Sequence, residues 1–471
     1  MRSWPARSLR VPDRARVAAG SSPVSAIPGD PPYGTGPRAA HRWGGLLWHR
    51  NFRLLLIGET ISGAGTAMTA AGVPLLAVTV LHASTFAVAA LTAAGYLPWL
   101  VIGLPAGAWV DRLPVRPLMI TCDVISALLY ASLPAAAWMG VLTMGQVLVV
   151  ALLAGAANVL FATAYRVFLP SLVTAGELVE GNAKLQGGAS VAAIGGRSAA
   201  GLAAEAVGAA TALLFNAASF LVSAACLLRI RSDVVANNPD VAAHNPEART
   251  TTVRAEISQG ARFIACDPYL RPLAIYAAAA NLAYTGSTSL LVVFLVRVAG
   301  FGSAAVGLLL ATGGVGGVLG AVIAGRLTRR LGTARALLLS ALTAGPFSLL
   351  IPLTGTGPQA AFYVAGSAVA AGGIAAGNIV AGSFLQAYCP PLMLGRITAS
   401  MRFLGSGTIP LGALLAGGLG TALGTRNALW VILALYALSG ALLLTPAILS
   451  HRNLPAATAM DAEIPRVASG S

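Results

Sequence analysis

Four charged side chains stand inside long apolar stretches of this 471-residue sequence: Glu59, Asp123, Arg197 and Glu205. A charge within a bilayer is costly, and it normally faces a water-filled cavity or a charged partner. A carboxylate in such a place can take up and release a proton, because burial favours its neutral form and a nearby cation or water favours its ionised form. A buried guanidinium can bind an anionic group. The sequence therefore offers candidates for a proton site and for an anion site.

Glu59 is the best candidate for the proton site. It lies six residues into the first apolar stretch, ~9 Å along a helix at 1.5 Å per residue, among hydroxyl-bearing residues that include Thr66. The alternative is a glutamate that reaches water or is satisfied by a neighbouring helix. Asp123 lies early in its stretch, near the inner surface, and Glu205 lies near the outer end of its stretch, where we expect it to reach the lipid headgroups.

Arg197 is the candidate for the anion site. It lies eleven residues after the expected start of its apolar stretch at residue 186, ~16 Å deep by the same helical rise. At that depth it either binds an anionic substrate group or pairs with a carboxylate. The alternative is a structural charge that a neighbouring side chain neutralises.

The composition indicates which elements position these side chains. Apolar residues make up 56% of the chain and charged residues 10%, and the mean hydropathy is +0.78. Soluble domains are about 45–50% apolar and about 25% charged, so a soluble globular chain is excluded. The net charge of +15 would suggest nucleic acid as a partner in a soluble protein. Here it indicates basic loops between lipid-embedded helices, and we expect no nucleic-acid partner.

Apolar stretches close to the ~20 residues needed to span a bilayer recur along the chain. They predict an all-α membrane protein with twelve transmembrane helices in two six-helix halves. The predicted spans are 53–80, 86–110, 116–139, 143–166, 186–208, 210–229, 271–297, 303–325, 335–354, 358–381, 400–422 and 427–449.

Polar stretches divide the chain. Residues 1–50 form a basic leader that we expect to be disordered and cytoplasmic, or an overextended start of the reading frame. The N-terminal half covers 51–230, a cytoplasmic central loop 231–270, the C-terminal half 271–450 and a cytoplasmic tail 451–471. A helical patch is predicted at 253–265 within the central loop.

Basic residues set the predicted orientation, because cytoplasmic loops carry an excess of Lys and Arg. They crowd the leader, the connection between spans 2 and 3, the central loop and the connection between spans 8 and 9. On the other side only Arg297 and Arg426 stand in the connections. Both termini are therefore expected in the cytoplasm.

An internal repeat relates the two halves. The pattern Gly107-x-x-x-Asp111-Arg112 recurs 218 residues later as Gly325-x-x-x-Arg329-Arg330. Parallel repeats of six helices are typical of one transporter architecture, in which the binding site lies near the midplane between the halves.

These residues resemble the major facilitator superfamily. Its signature between helices 2 and 3, approximately G-x-L-A-D-R-x-G-R-R, is similar to Gly107-Ala108-Trp109-Val110-Asp111-Arg112-Leu113-Pro114-Val115-Arg116. Segments such as Leu169-Pro170-Ser171-Leu172 and Glu180-Gly181-Asn182-Ala183-Lys184-Leu185 further resemble the enterobactin-exporter and macrolide-efflux-like branch of bacterial exporters.

The resemblance implies a cytoplasmic gate formed by Gly107, Asp111, Arg112 and Arg116, with Asp123 in the same network. A carboxylate at a helix N-terminus is stabilised by the helix dipole, and this contact would be lost when the helices separate. The alternative is that the arginines only anchor the loop. Pro114 departs from the family pattern and cannot donate a backbone hydrogen bond.

In this family helices 1, 4, 7 and 10 line the central cavity. The candidate substrate residues on these helices are Thr66, Asn158, Asn281, Tyr284 and Asn378, and Arg197 on helix 5 is added as the candidate anion site. Each asparagine could instead bond another helix. The Gly-Pro motif of many proton-coupled exporters is replaced on helix 5 by Gly195-Gly196-Arg197, which weakens the transfer of that antiport motif.

We therefore expect a secondary active transporter, not an enzyme, that exports a hydrophobic or amphipathic drug or secondary metabolite by alternating access and proton antiport. It is expected to act as a monomer without cofactor or metal in a bacterial plasma membrane, with the lipid bilayer, protons and a small-molecule substrate as partners. No G-x-x-x-x-G-K loop is present, which excludes ATP-driven transport by this chain alone. One alternative is transport of an acidic metabolite, siderophore or lysolipid. The other is a receptor or assembly factor on a carrier fold.

Overall fold

A computed structural model describes residues 45–103, 105–110, 112–174, 177–230 and 253–455. The described residues from Leu46 onward belong to one unit by their contacts. The predicted gate residue Asp111, the leader up to residue 44, the polar part of the central loop at 231–252 and the tail at 456–471 lie outside the described residues.

The first half of the chain forms six long helices and one short helix. They are α1 (Arg50–Thr79), α2 (Thr85–Val101), the short α3 (Pro105–Val110), α4 (Val115–Trp138), α5 (Met144–Leu172), α6 (Leu178–Val207) and α7 (Ala209–Arg229).

The second half begins with the amphipathic helix α8 (Val253–Cys266), one residue longer than the predicted helical patch. Six long helices and a final short one follow. They are α9 (Leu270–Val293), α10 (Ser303–Leu331), α11 (Thr333–Ser348), α12 (Ala360–Tyr388), α13 (Pro391–Leu423), α14 (Thr425–Ser439) and α15 (Pro446–Leu449). A π-helical turn (Phe294–Val298) extends α9, and a 3-10 turn (Gly440–Leu443) extends α14.

The described residues thus contain twelve helices of 15 to 33 residues. Ten are long and apolar enough to cross a bilayer, and α2 is a shorter apolar helix of 17 residues. The twelfth, α6, has 30 residues and carries Glu180, Lys184, Arg197 and Glu205. The prediction of an all-α membrane protein with twelve long helices is confirmed.

The predicted second span, 86–110, is wrong in one respect, because it is not one continuous helix. Helix α2 ends at Val101, with the N–H of Ile102 bonded to the carbonyl of Pro98, and α3 begins at Pro105. Proline lacks the N–H that would continue a helix, and its fixed φ suits the first helical position. Gly107 therefore lies on a separate short helix.

Two predicted spans begin too late. Helix α6 begins at Leu178 rather than at 186, because its polar first turns are stabilised by an ion pair of 2.6 Å between Lys184 and Glu180. Helix α13 begins at Pro391 rather than at 400. Arg197 is thus ten residues, ~15 Å at the usual helical rise, from the end of α6 at Val207.

The side on which α1 begins is called the terminal face here. The N–H of Leu46 donates to Glu180 Oε1 over 3.1 Å, which places the start of α6 on this face. The N–H of Thr333 donates to Asn453 Oδ1 over 3.1 Å, so the connection between α10 and α11 lies beside the residues that follow α15. The other side of the bundle is called the opposite face.

Buried apolar side chains show where the two halves meet. The largest cluster combines the end of α1, the end of α9 and the start of α14, with Leu76, Leu290 and Leu433 fully buried, and it lies toward the opposite face. Two further clusters lie toward the terminal face. One contains N-terminal residues such as Phe168, and the other contains C-terminal residues such as Phe384. The halves therefore share a core toward the opposite face and have separate cores toward the terminal face.

Candidate functional site

Glu59 on α1 lies within electrostatic range of a second carboxylate, that of Asp123 on α4. Glu59 is half-buried, whereas Asp123 is only 2% exposed. The hydroxyl of Ser223 on α7 bonds Asp123, and no partner is found among the described residues for Asp123 Oδ2. Gly58 packs on Ser223, since a Cβ at Gly58 would lie 3.4 Å from the Ser223 Cα. Helices α1, α4 and α7 thus bring two acids together inside the N-terminal half.

The predicted gate role of Asp123 stays a prediction, because its expected partner Asp111 lies outside the described residues. Within the described residues, Asp123 lies within electrostatic range of Glu59 and next to Ser223. If Glu59 and Asp123 were both ionised, their negative charges would repel each other, and burial would strengthen the repulsion. The pair therefore resists carrying two negative charges at once.

Residues at the end of α5 complete the surroundings of this pair. Tyr165 lies within electrostatic range of the Glu59 carboxylate. The next residue, Arg166, is exposed. It lies within electrostatic range of Arg402 on α13, in the other half, and the two positive charges repel each other. Arg166 was missed at the sequence level, because the apolar segment was predicted to end there and an arginine at a span end is normally an anchor.

Arg197 on α6 is half-buried and lies within electrostatic range of two tyrosines of the C-terminal half, Tyr284 on α9 and Tyr363 on α12. The rings of Tyr284 and Tyr436 are 5.9 Å apart, and the buried Tyr436 hydroxyl has no hydrogen-bond partner among the described residues. Within the same residues no carboxylate forms an ion pair with Arg197. No partner acid for Arg197 is therefore found in the described part of the chain.

The remaining candidate cavity residues are exposed on their helices. They are Thr66 on α1, Asn158 on α5, Asn281 on α9 and Asn378 on α12. Asn281 also touches the neighbouring α13, since its Nδ2 would lie 3.0 Å from a Cβ at Gly405. An asparagine exposed within an apolar helix fits contact with water better than contact with lipid.

The candidate gate residues are only partly brought together. Arg116 donates from Nε to the carbonyl of Leu227 over 2.8 Å and from Nη2 to that of Leu228 over 2.7 Å. Its positive charge therefore meets the C-terminal end of α7, where the helix dipole favours a cation. Gly107 is half-buried on α3 and Arg112 is exposed.

Glu205 is exposed near the end of α6, and its expected contact with lipid headgroups stays a prediction. Its Oε2 accepts a 2.9 Å hydrogen bond from the backbone N–H of Ala304, in the first turn of α10. Four residues before it on α6, Gly201 packs against Gly307 of α10, and a Cβ at Gly201 would lie 2.7 Å from the Gly307 Cα. Both contacts join the two halves near the opposite face.

The two arginines that the orientation rule left on the opposite face also bind main-chain carbonyls. Arg297 donates to the carbonyl of Val78, near the end of α1, over 3.4 Å. Arg426 donates to the carbonyl of Thr354 over 3.1 Å and lies over the ring of Phe294, 5.6 Å from its centroid. Both charges are therefore used within the protein, and Arg297 forms a further link between the halves.

No cluster of three or more His, Cys, Asp or Glu side chains that could hold a metal is found in the described ranges. The arrangement is instead a pair of acids in one half, an arginine that faces the other half, and helix contacts that close one face. These features suit a protein that binds a solute between two halves and exposes it to one side at a time.

Comparison with known proteins identifies the family and the fold of this chain. The family model of the Major Facilitator Superfamily matches residues 55–410. No curated protein matches the chain. Similar solved structures include the nucleoside transporter NupG, with a TM-score of 0.69 at 12% identity over 85% of this chain and 99% of that chain.

Two further structures are similar over nearly their whole length. A bacterial homologue of the iron transporter ferroportin in an inward-facing state has a TM-score of 0.65 at 16% identity, over 84% of this chain and 98% of that one. A bacterial homologue of the human lysosomal transporter Spinster, inward-facing and unoccupied, has a TM-score of 0.62 at 14% identity, over the same shares. At these identities the likeness concerns the fold alone. Because the family model covers most of its length, the chain belongs to the Major Facilitator Superfamily and is a multi-pass membrane transporter.

Proposed function

We propose that this transporter exports a hydrophobic or amphipathic small molecule, such as a drug or a secondary metabolite, from a bacterial cell in exchange for protons. Glu59 carries the proposal. It is a half-buried carboxylate beside Asp123, and it forms no ion pair within the described part of the chain. A carboxylate in this setting can hold a proton when shielded and release it when water or a cation approaches, as proton coupling requires.

The distribution of basic residues supports an orientation with both termini in the cytoplasm of the bacterium. The terminal face is then the cytoplasmic face. The shared core lies toward the opposite face and the separate cores toward the terminal face, which supports a state open to the cytoplasm. In that state a substrate would enter from the cytoplasm, as export requires.

The polarity of the candidate cavity supports an amphipathic substrate. Its candidate residues are mostly single amides and hydroxyls on otherwise apolar helices, among them Asn158, Asn281 and Asn378. A mostly apolar site with a few hydrogen-bonding groups suits an organic molecule better than a sugar or a small ion. The resemblance to the enterobactin-exporter and macrolide-efflux-like branch supports the same substrate class.

The cytoplasmic gate is part of the proposal. Gly107, Asp111, Arg112 and Arg116 would hold the cytoplasmic ends of α3, α4 and α7 together in one state and release them in the other. The bonds from Arg116 to the Leu227 and Leu228 carbonyls support this role, because they join the start of α4 to the end of α7.

The proposal is tested with purified protein in liposomes under an imposed pH gradient and a panel of amphipathic dyes and drugs. We expect the wild type to move at least one compound against its gradient and Glu59→Gln to lose this coupled transport. Glu177→Gln is the matched control, because it makes the same chemical change in a connection at the terminal face. Equal coupled transport by wild type and Glu59→Gln would remove Glu59 as the proton site.

A second candidate function is export of an acidic metabolite, siderophore or lysolipid. Arg197 supports it, since this half-buried guanidinium has no carboxylate ion-pair partner among the described residues. Arg166 and Arg402 add two guanidinium groups, one from each half, that lie within electrostatic range of each other. An anionic substrate would relieve the repulsion between them.

A further inference from the structure

A cavity of about 340 Å³ lies on the terminal side of the C-terminal half, away from the acid pair and Arg197. It is formed where α9 and α15 begin and where α14 ends. Its walls include Arg271 and Ile275 from α9, Leu442 from the turn after α14, and Thr445 and Pro446 at the start of α15. Its volume falls within the range of about 300–1,000 Å³ that is usual for small-molecule sites.

The position of this cavity matches the boundary of a bilayer. Arg271 is the second residue of the membrane-crossing segment Leu270–Val298, and Leu442 is the last but one of Thr425–Leu443. The side chains of Ile275 and Leu442 are 49% and 40% exposed. Since both are apolar and lie within these two segments, they face lipid chains, whereas Arg271 lies at the depth of the headgroups.

The polar groups of the cavity suit an anion. Arg271 is exposed and forms no ion pair within the described part of the chain. The hydroxyl of Thr445 is buried and has no hydrogen-bond partner among the described residues. A guanidinium and a hydroxyl are both groups that bind phosphate oxygens.

The cavity offers nothing to a positively charged headgroup, since none of the residues that line it is acidic. The nearby Asp267 is 7% exposed and already bonded. It accepts hydrogen bonds from the Tyr388 hydroxyl over 2.7 Å and from the N–H groups of Tyr269 and Leu270 over 2.8 Å. A choline or ethanolamine group would therefore find no partner, whereas a second anionic or neutral group would meet no repulsion.

We propose that this cavity is a groove on the outside of the bundle that binds an anionic glycerophospholipid, with the phosphate on Arg271 and Thr445 and an acyl chain along Ile275 and Leu442. The lipid would join the start of α9 to the end of α14 from outside the bundle. This site is independent of the substrate and of proton coupling.

The test is native mass spectrometry of the purified full-length protein with phosphatidylglycerol and with phosphatidylcholine of identical chains. We expect the wild type to retain phosphatidylglycerol in preference, and Arg271→Gln to weaken this retention about tenfold through loss of a charge-assisted contact. Thr445→Val, which keeps the shape and removes the hydroxyl, should weaken it less. Arg326→Gln is the matched control, because Arg326 is exposed near the terminal end of α10 and does not line the groove.

Three results would overturn the proposal. The first is unchanged retention in Arg271→Gln with a circular dichroism spectrum that matches the wild type. The second is an equal loss in Arg326→Gln, which would indicate general attraction to a basic surface. The third is displacement of phosphatidylglycerol by inorganic phosphate, which would indicate an anion site without a lipid. Arg271→Lys should keep part of the preference, so a loss through misfolding can be told from a loss of the contact.

Discussion

The carboxylate of Glu205 accepts a 2.9 Å hydrogen bond from the backbone N–H of Ala304 and thereby joins the end of α6 to the start of α10. The two residues belong to different halves of the transporter. A negative charge at a helix N-terminus is stabilised by the helix dipole by about 0.3–1 kcal/mol. Because the opposite face can open only if these helix ends separate, the bond favours the state in which that face is closed.

Replacement of Glu205 by leucine should loosen the first turn of α10. The Ala304 amide loses its acceptor, and loss of a capping contact is typically worth ~1 kcal/mol, or about fivefold faster amide exchange. Hydrogen exchange measured by mass spectrometry over residues 302–308 checks this. Glu205→Gln keeps an acceptor and loses only the charge, so its effect should be smaller. Equal exchange in the wild type and Glu205→Leu would show that the bond does not hold this face closed.

Replacement of Gly201 by alanine should separate α6 and α10. The new Cβ would lie 2.7 Å from the Gly307 Cα, which is backbone and cannot rotate away. Overpacking of this kind costs about 1–3 kcal/mol, so the midpoint of thermal unfolding in detergent should fall. Gly195→Ala is the control on the same helix, since a Cβ there meets nothing within 4 Å. A midpoint for Gly201→Ala as high as that of Gly195→Ala would argue against tight packing at this crossing.

Replacement of Arg197 by glutamine should show whether the transporter uses this residue to bind anionic substrates. If the guanidinium binds an anionic group, the KM for anionic substrates should rise about tenfold or more, as expected for a lost hydrogen bond to a charged group. The KM for neutral amphipathic substrates should stay the same. Transport by the wild type and by Arg326→Gln serves as the comparison. If anionic and neutral substrates respond alike, Arg197 is not an anion contact.

Glu177 should make a pH-dependent contribution to stability. The hydroxyl of Thr174 donates a hydrogen bond to Glu177 Oε2 over 2.8 Å, and the backbone N–H of Thr174 donates to the same oxygen over 3.1 Å. Both bonds hold the pKa of Glu177 below its ordinary value. A carboxylate with a lowered pKa in the folded state stabilises that state at neutral pH. An unfolded chain gives glutamate a pKa of about 4.3. The contribution is therefore lost as the pH falls from about 4.3 through the lowered pKa that Glu177 has in the folded state.

The unfolding midpoints of the wild type and Glu177→Gln should therefore differ at pH 7 and converge in acid. Thr174→Val removes the strongest donor, so it should raise the pKa of Glu177 when that pKa is followed by carbon NMR of the side chain. A difference between the midpoints that stays constant with pH would show that the charge of Glu177 does not contribute.

Most of the helices could be predicted from the sequence, because a membrane span is a local property. About twenty apolar residues in a row can satisfy their backbone groups in lipid only as a helix. The errors fell where this rule does not apply. Pro105 divides the second span, and the polar first turns of α6 are held by the pair Glu180 and Lys184, which hydropathy alone does not reveal.

The candidate site was only partly predictable. A charge within an apolar stretch identifies Glu59, Asp123 and Arg197 from the sequence, since burial of a charge demands a reason. The sequence pattern does not indicate which residues lie next to each of these charges. Asp123 lies within electrostatic range of Glu59, and Arg197 lies within such range of tyrosines that follow it by 87 residues or more.

The sequence by itself determined the class of protein, the number of long helices and the short list of buried charges, because hydropathy and charge act residue by residue. Only the tertiary structure decided which face is closed and what closes it. Glu205 and Ala304 are 99 residues apart in sequence. A contact of that kind depends on how two helices cross, and the crossing of α6 and α10 is set by the close approach of Gly201 and Gly307 in space.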